Sequence, residues 1–134
     1  MILVDTSVWI EHLRRTQSRA HLEFRELATT DPASIATCAP IAMELLAGPT
    51  DPFTVRRIED QLGTLEDLVV DPAKDFRAAA TLARAVHRNG HTVGSLTDCL
   101  IAAVALRHDT TVWHCDADYV RIADVTELSQ RDLR

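Results

Sequence analysis

Five acidic side chains fall at places where the chain's short apolar runs end or where a helix should begin: Asp5, Glu44, Asp98, Asp116 and Asp118. Carboxylates gathered at close range repel one another, and their pKa values rise. Hard divalent cations reverse that cost, because Mg²⁺ prefers oxygen ligands and commonly binds a few carboxylates together with water and phosphate. One or two such ions can activate water, neutralise a phosphodiester and stabilise its leaving oxygen. Each acid also has a local role open to it. Asp5 suits a helix cap, Ser95-Leu96-Thr97-Asp98 matches an S-x-x-D capping pattern, Glu44 suits a solvated helix face, and Asp116 and Asp118 suit a turn. Local roles explain the acids one at a time; they do not explain a convergence of all five.

Convergence depends on the elements that carry them. Met1-Ile2-Leu3-Val4 reads as a strand buried on both faces, with Asp5 at its carboxyl end. Asp5-Thr6-Ser7 then offers capping chemistry for a helix through Leu13. A second helix is expected over 18–28 with Leu22 and Leu27 on its apolar side, and a strand over 34–38. Pro40 opens a helix that Gly48-Pro49 stops, and Asp51-Pro52 opens another that ends at Gly63. Leu68-Val69-Val70 reads as the third strand, and Asp71-Pro72 as the cap of a long helix with Phe76, Ala80, Ala83 and Val86 on one face, closed by Asn89-Gly90. A helix from Ser95, a strand over 110–113, a short helix over 117–123 and a short strand over 125–128 complete the chain. Strands alternating with helices imply right-handed crossovers and a parallel sheet covered on both faces. In such sheets sites form outside the carboxyl ends of the strands, which is where these acids fall.

The whole chain sets wider bounds. Its 134 residues, 46% hydrophobic and 25% charged, suit a single globular domain spanning 1–134. The four residues before Asp5 are too few for a signal-peptide apolar region, and no run approaches a membrane span, so a cytosolic protein is expected. Cys38, Cys99 and Cys115 form no C-x-x-C and read as free thiols. A net charge of −6 argues against a broad basic face for nucleic acid, although cations held by the acid cluster would soften it. Lys74 is the only lysine among 14 cationic side chains; the rest are arginines, and Arg14, Arg15, Arg88 and Arg121 are candidate phosphate contacts.

Four segments resemble the PIN-domain proteins, and specifically the VapC toxins of bacterial toxin–antitoxin pairs. They are Met1 to Ile10, Ile41-Ala42-Met43-Glu44-Leu45-Leu46-Ala47-Gly48, Ser95 to Ala103, and Val112 to Tyr119. The resemblance spans essentially the whole chain. It implies a three-layer α/β/α sandwich around a mainly parallel sheet of four to five strands, and endoribonuclease activity on structured RNA such as tRNA or rRNA. It also implies homodimerisation and inhibition by a VapB-type antitoxin. Asp5, Glu44, Asp98 and Asp116 match the family's metal-binding acids and Asp118 a frequent fifth; Thr6 and Ser7 match polar residues beside the first acid. The chain departs from the pattern at Cys115, where an arginine is frequent, and at Tyr119, where phenylalanine is frequent; both departures bear on substrate grip. On this reading Asp5, Asp98 and Asp116 hold the principal Mg²⁺ or Mn²⁺, while Glu44, with Asp118, supports a second ion or an ordered water. His114 is expected to pack or hydrogen-bond rather than catalyse, and a zinc site from Cys99, His114 and Cys115 lacks a dedicated spacing.

Other readings fit less well. A phosphatase of the haloacid dehalogenase type needs a second Asp two residues after the first, where Ser7 stands. A signalling receiver needs a lysine beyond its last strand, whereas Lys74 lies mid-chain after Leu68-Val69-Val70-Asp71. A PIN-like fold kept only for binding protein would be expected to have lost acids.

Overall fold

The computed structural model describes residues 1–134. In chain order the elements are β1 (Ile2–Val4), α1 (Thr6–Leu13), α2 (Arg19–Thr30), a 3₁₀ turn (Pro32–Ser34), β2 (Ile35–Thr37), α3 (Ala39–Ala47) and α4 (Pro52–Leu62). They continue with β3 (Glu66–Asp67), α5 (Asp75–Arg88), α6 (Leu96–Arg107), β4 (Thr111–His114), α7 (Ala117–Ala123) and β5 (Gln130–Asp132). The five strands form one parallel sheet in the order β3-β2-β1-β4-β5. The chain steps from β1 outward to β3, then crosses to the other side of β1 to lay down β4 and β5. With right-handed crossovers that reversal puts α1 to α4 on one face and α5 to α7 on the other. The packing agrees: α1 lies on α2 and α3, α3 on α4, and α5, α6 and α7 on one another. The result is a PIN-like three-layer sandwich.

Central strands explain themselves. Leu3, Val4, Ile35, Ala36 and Val112 are all buried, because helices cover both faces of the sheet. Leu3 pairs with Ala36 on one side and Val112 on the other. On α6, Cys99 and Ile101 to Ala105 are buried, so this helix is apolar nearly all round and runs through the interior. Capping follows the sequence: Ser18, Asp51, Ser95 and Asp116 each accept a backbone N–H of the helix they open. Gly90, at φ 85°, supplies the left-handed residue that ends α5 after Asn89. Cys38, Cys99 and Cys115 are unpaired.

Four expectations shift. The third strand is Glu66–Asp67, not 68–70. Leu68 adds one more bond from its N–H to the Thr37 carbonyl at 2.8 Å. Beyond it the Val69 carbonyl is taken by Arg107 and by the His108 ring, which draws the chain off the sheet edge and leaves Val69 exposed. The last strand is Gln130–Asp132, not 125–128. Thr126 turns the chain after α7, bonding the Ile122 carbonyl and receiving the Leu128 N–H, and pairing begins only beyond buried Leu128. Asp71 makes a turn, accepting the Ala73 N–H, and α5 starts at Asp75; its buried face is Asp75, Ala79, Leu82 and Val86, with Phe76 exposed. On α2 the buried face is Ala20, His21 and Phe24, with Leu22 exposed. Phe24 packs edge-on against Trp9 at 4.8 Å, so the aromatic and not the leucine sets which side faces inward.

Candidate active site

β1 and β4 lie side by side at the sheet's centre, and the strand order reverses between them. Asp5 follows the first and Asp116 the second, so the topological switch point itself delivers two carboxylates. Asp98 arrives on the first turn of α6 and Glu44 on α3, while Asp118 sits in the first turn of α7. The tightest trio is Asp98, Asp116 and Asp118, whose ligand oxygens lie within 4.8 Å of one another. Asp5 and Glu44 border it: the charges of Asp5 and Asp116 act on both Asp98 and Glu44.

Hydrogen bonds fix most of these groups. The Ser7 N–H and hydroxyl both donate to Asp5 Oδ2, at 3.0 and 2.6 Å, and the Tyr119 hydroxyl donates to Asp5 Oδ1 at 2.6 Å. Ser7 Oγ in turn accepts the Cys115 N–H at 2.9 Å, tying α1 to the end of β4. The Thr6 hydroxyl donates to Glu44 Oε1 at 2.9 Å. The backbone N–H groups of Gly94 and Ser95 both donate to Asp118, at 2.9 and 3.0 Å, so Asp118 clamps the loop before α6. Asp116 Oδ1 caps α7 through the Asp118 N–H at 2.9 Å.

Among these five acids a single ion pair forms, from Arg121 to Asp118 at 3.5 Å. Burial first, then the charges of Asp5 and Asp116, push the Asp98 carboxyl up to about 9. Burial raises Glu44 as well, opposed by its bond from Thr6 and reinforced by Asp5 and Asp116. Burial, followed by Asp5 and Asp98, holds the Tyr119 phenol well above its ordinary range, so it remains a donor. An all-oxygen cluster with so little internal compensation fits a hard divalent cation.

Tyr119 is fully buried and cannot grip substrate; its part is to hold Asp5, a link that sequence alone did not reveal. The separation of 114 positions between donor and acceptor leaves no local signal for it. His114 is buried and stacks on Tyr119. Its Nδ1 accepts the Asp116 N–H and its Nε2 meets Gln130, so neither nitrogen is left for zinc or for proton transfer. Arg121 is tied to Asp118 and the Thr92 carbonyl, whereas Arg14, Arg15 and Arg88 are exposed. Arg14 shares a cavity of about 250 Å³ with Thr6 and Glu44.

Switch-point acids in this sandwich define a class: residues 2–125 match the PIN-domain family, and the chain belongs to it. Within that family the chain falls among the VapC ribonucleases. It is 48% identical to Ribonuclease VapC11 of Mycobacterium tuberculosis over 134 residues, which is 100% of both chains. Its fold is similar to a chain of VapBC-1 from nontypeable Haemophilus influenzae, with a TM-score of 0.76 and 18% identity over 99% of this chain and 98% of that one. It is also similar to a chain of VapBC2 from Rickettsia felis bound to a promoter DNA fragment, with a TM-score of 0.71 and 17% identity over 100% of both.

Proposed function

We propose that this chain is a Mg²⁺- or Mn²⁺-dependent endoribonuclease that cleaves structured cellular RNA, such as tRNA or rRNA, as the cytoplasmic toxin of a toxin–antitoxin pair. The observation that carries the reading is the gathering of Asp5, Glu44, Asp98, Asp116 and Asp118 at the switch point with a single ion pair to compensate them. Full-length identity to a named ribonuclease supports RNA as the substrate.

When bound, the cation supplies neutralisation of the phosphodiester and activation of water near neutral pH. Asp5, Asp98 and Asp116 offer the principal ligand oxygens. Ser7 and Tyr119 each donate to one oxygen of Asp5 and so fix its orientation, while each oxygen keeps a lone pair for a cation. Glu44, steadied by Thr6, orders water or supports a second ion. Asp118 spends both oxygens on the Gly94 and Ser95 N–H groups, and its main part is to position the start of α6, which carries Asp98.

A VapB-type antitoxin is the expected inhibitor, since the similar folds come from VapBC assemblies. Exposed Met43, Phe53, Phe76 and Leu96 provide apolar surface for that partner and for a homodimer. Incubation of antitoxin-free protein with total RNA tests the activity. Discrete fragments with Mg²⁺ or Mn²⁺ and none with EDTA are expected; intact RNA in both metals would overturn the assignment.

A further inference from the structure

The loop between α1 and α2 folds over a cavity of about 420 Å³ that no carboxylate lines. Arg15, Arg25 and Arg57 converge on it from that loop, α2 and α4, and none of the three pairs with an acid, unlike Arg19, Arg107, Arg121, Arg131 and Arg134. At its wall is His21, 3% exposed. The Gln17 N–H donates to His21 Nδ1 at 3.0 Å, which makes Nδ1 the acceptor and leaves the proton on Nε2. The Gln17 N–H is the hydrogen bond that the ring makes, through Nδ1, and the ring itself is part of the cavity's lining, which leaves Nε2–H as the group it can offer a ligand. Beside it, His12 carries a second unpartnered nitrogen, the occluded Nδ1. Arg15 and Gln17 both hold positive φ, at 50° and 62°, conformations that side chains other than glycine rarely adopt. The loop therefore keeps a costly shape that aims an arginine at the cavity and locks the His21 tautomer.

We propose that this cavity is a phosphate-binding subsite that holds the RNA backbone at a phosphate remote from the cleaved bond. The inference rests on the ribonuclease reading above. Three arginine forks and a neutral imidazole donor match the oxygens of a phosphodiester. Leu13 lines this cavity and also the one that contains Arg14, Thr6 and Glu44, so the two cavities adjoin at that residue. The eight residues of α1 between them span roughly 12 Å, which places the held phosphate beyond the scissile one. Leu13 is the single apolar residue of the lining, so the cavity offers a peptide side chain little to bury against.

The test measures binding of a short fluorescein-labelled single-stranded RNA by anisotropy in EDTA, so that no cleavage is needed and failure of the nuclease reading stays separate. Arg25→Ala and Arg57→Ala should each weaken binding roughly tenfold and reduce the salt slope by about 0.7 per lost contact. Arg77→Ala and Arg84→Ala, exposed on α5, should leave both unchanged. In NMR titrations with inorganic phosphate the His21 Nε2–H signal should shift in the wild type and not in the Arg25/Arg57 double variant. Equal losses in the α5 controls would reduce the effect to bulk charge and overturn the subsite. Unchanged RNA binding by the Arg25 and Arg57 variants, with weakened binding of an oligoglutamate peptide, would reassign the cavity to an acidic protein segment.

Discussion

At the scale of residues, the site is built from carboxylates that destabilise the protein and donors that hold them in place. Asp98 shows the cost. Its carboxyl is pushed up to about 9, against about 3.9 for a free aspartate. A folded-state pKa above the unfolded value contributes stability that is complete at low pH and lost as pH rises, here between about 4 and about 9. Metal-free protein should therefore have a melting temperature that falls across that window, and Asp98→Asn should flatten the fall while abolishing cleavage. Scans with EDTA at several pH values check this; a wild-type profile as flat as the variant's would contradict it. Tyr119→Phe keeps the buried ring and removes the donor to Asp5. Cleavage should drop roughly tenfold and the Mg²⁺ midpoint should move to higher concentration, as for other groups that orient a ligand. An unchanged rate and metal midpoint would assign the hydroxyl to packing alone.

At the scale of elements, the ends of helices and strands carry most of the consequence. Asp118 joins α7 to the loop that opens α6 through two backbone N–H groups. Asp118→Ala leaves both donors unpaired and should cost about 1–3 kcal/mol in denaturant unfolding while lowering activity, because Asp98 rides on the loosened turn. A stability within error of wild type would mean that solvent replaces the clamp. On the opposite edge Asp75, almost wholly buried, meets two nitrogens of Arg107, each at 2.8 Å. The Arg107 hydrogen bonds, opposed by burial, hold its carboxyl below the usual range. A lowered folded pKa contributes stability present above about 4 and lost as pH falls through the folded value. Acid unfolding of Arg107→Ala should thus begin at higher pH than in the wild type, read by circular dichroism. Arg107 also shows why one element escaped the sequence: its grip on the Val69 carbonyl turns aside an apolar run that periodicity assigns to a strand. Gln130-Arg131-Asp132 escaped for the opposite reason, since a polar edge strand carries no apolar signal.

At the scale of the whole molecule, the alternation of strands and helices was enough to imply a parallel sheet, because buried runs such as Ile2-Leu3-Val4 and capping residues such as Asp51 and Ser95 act locally. Four of the acids were legible for the same reason: Asp5, Asp98, Asp116 and Asp118 sit at or within a turn of an element's end, and the switch point gathers element ends, whereas Glu44 lies inside α3. What sequence could not show were the long-range donors. Tyr119 to Asp5 and Cys115 to Ser7 each depend on β1 and β4 being neighbours, a fact of topology rather than of spacing. The arginine-lined cavity belongs to that group too, since it needs α1, α2 and α4 together. The five-acid cluster is proposed as a metal-dependent centre for cutting RNA. Its most direct test is single-turnover cleavage of one mapped RNA across a Mg²⁺ titration, with wild type beside Asp5→Asn, Asp98→Asn and Asp116→Asn, each confirmed as folded. Saturable Mg²⁺ dependence is expected in the wild type, with loss of cleavage by about a hundred- to a thousandfold in each variant, the scale expected when a group central to transition-state charge is removed. Wild-type cleavage that persists undiminished in EDTA, or folded variants that cut at the wild-type rate, would contradict it.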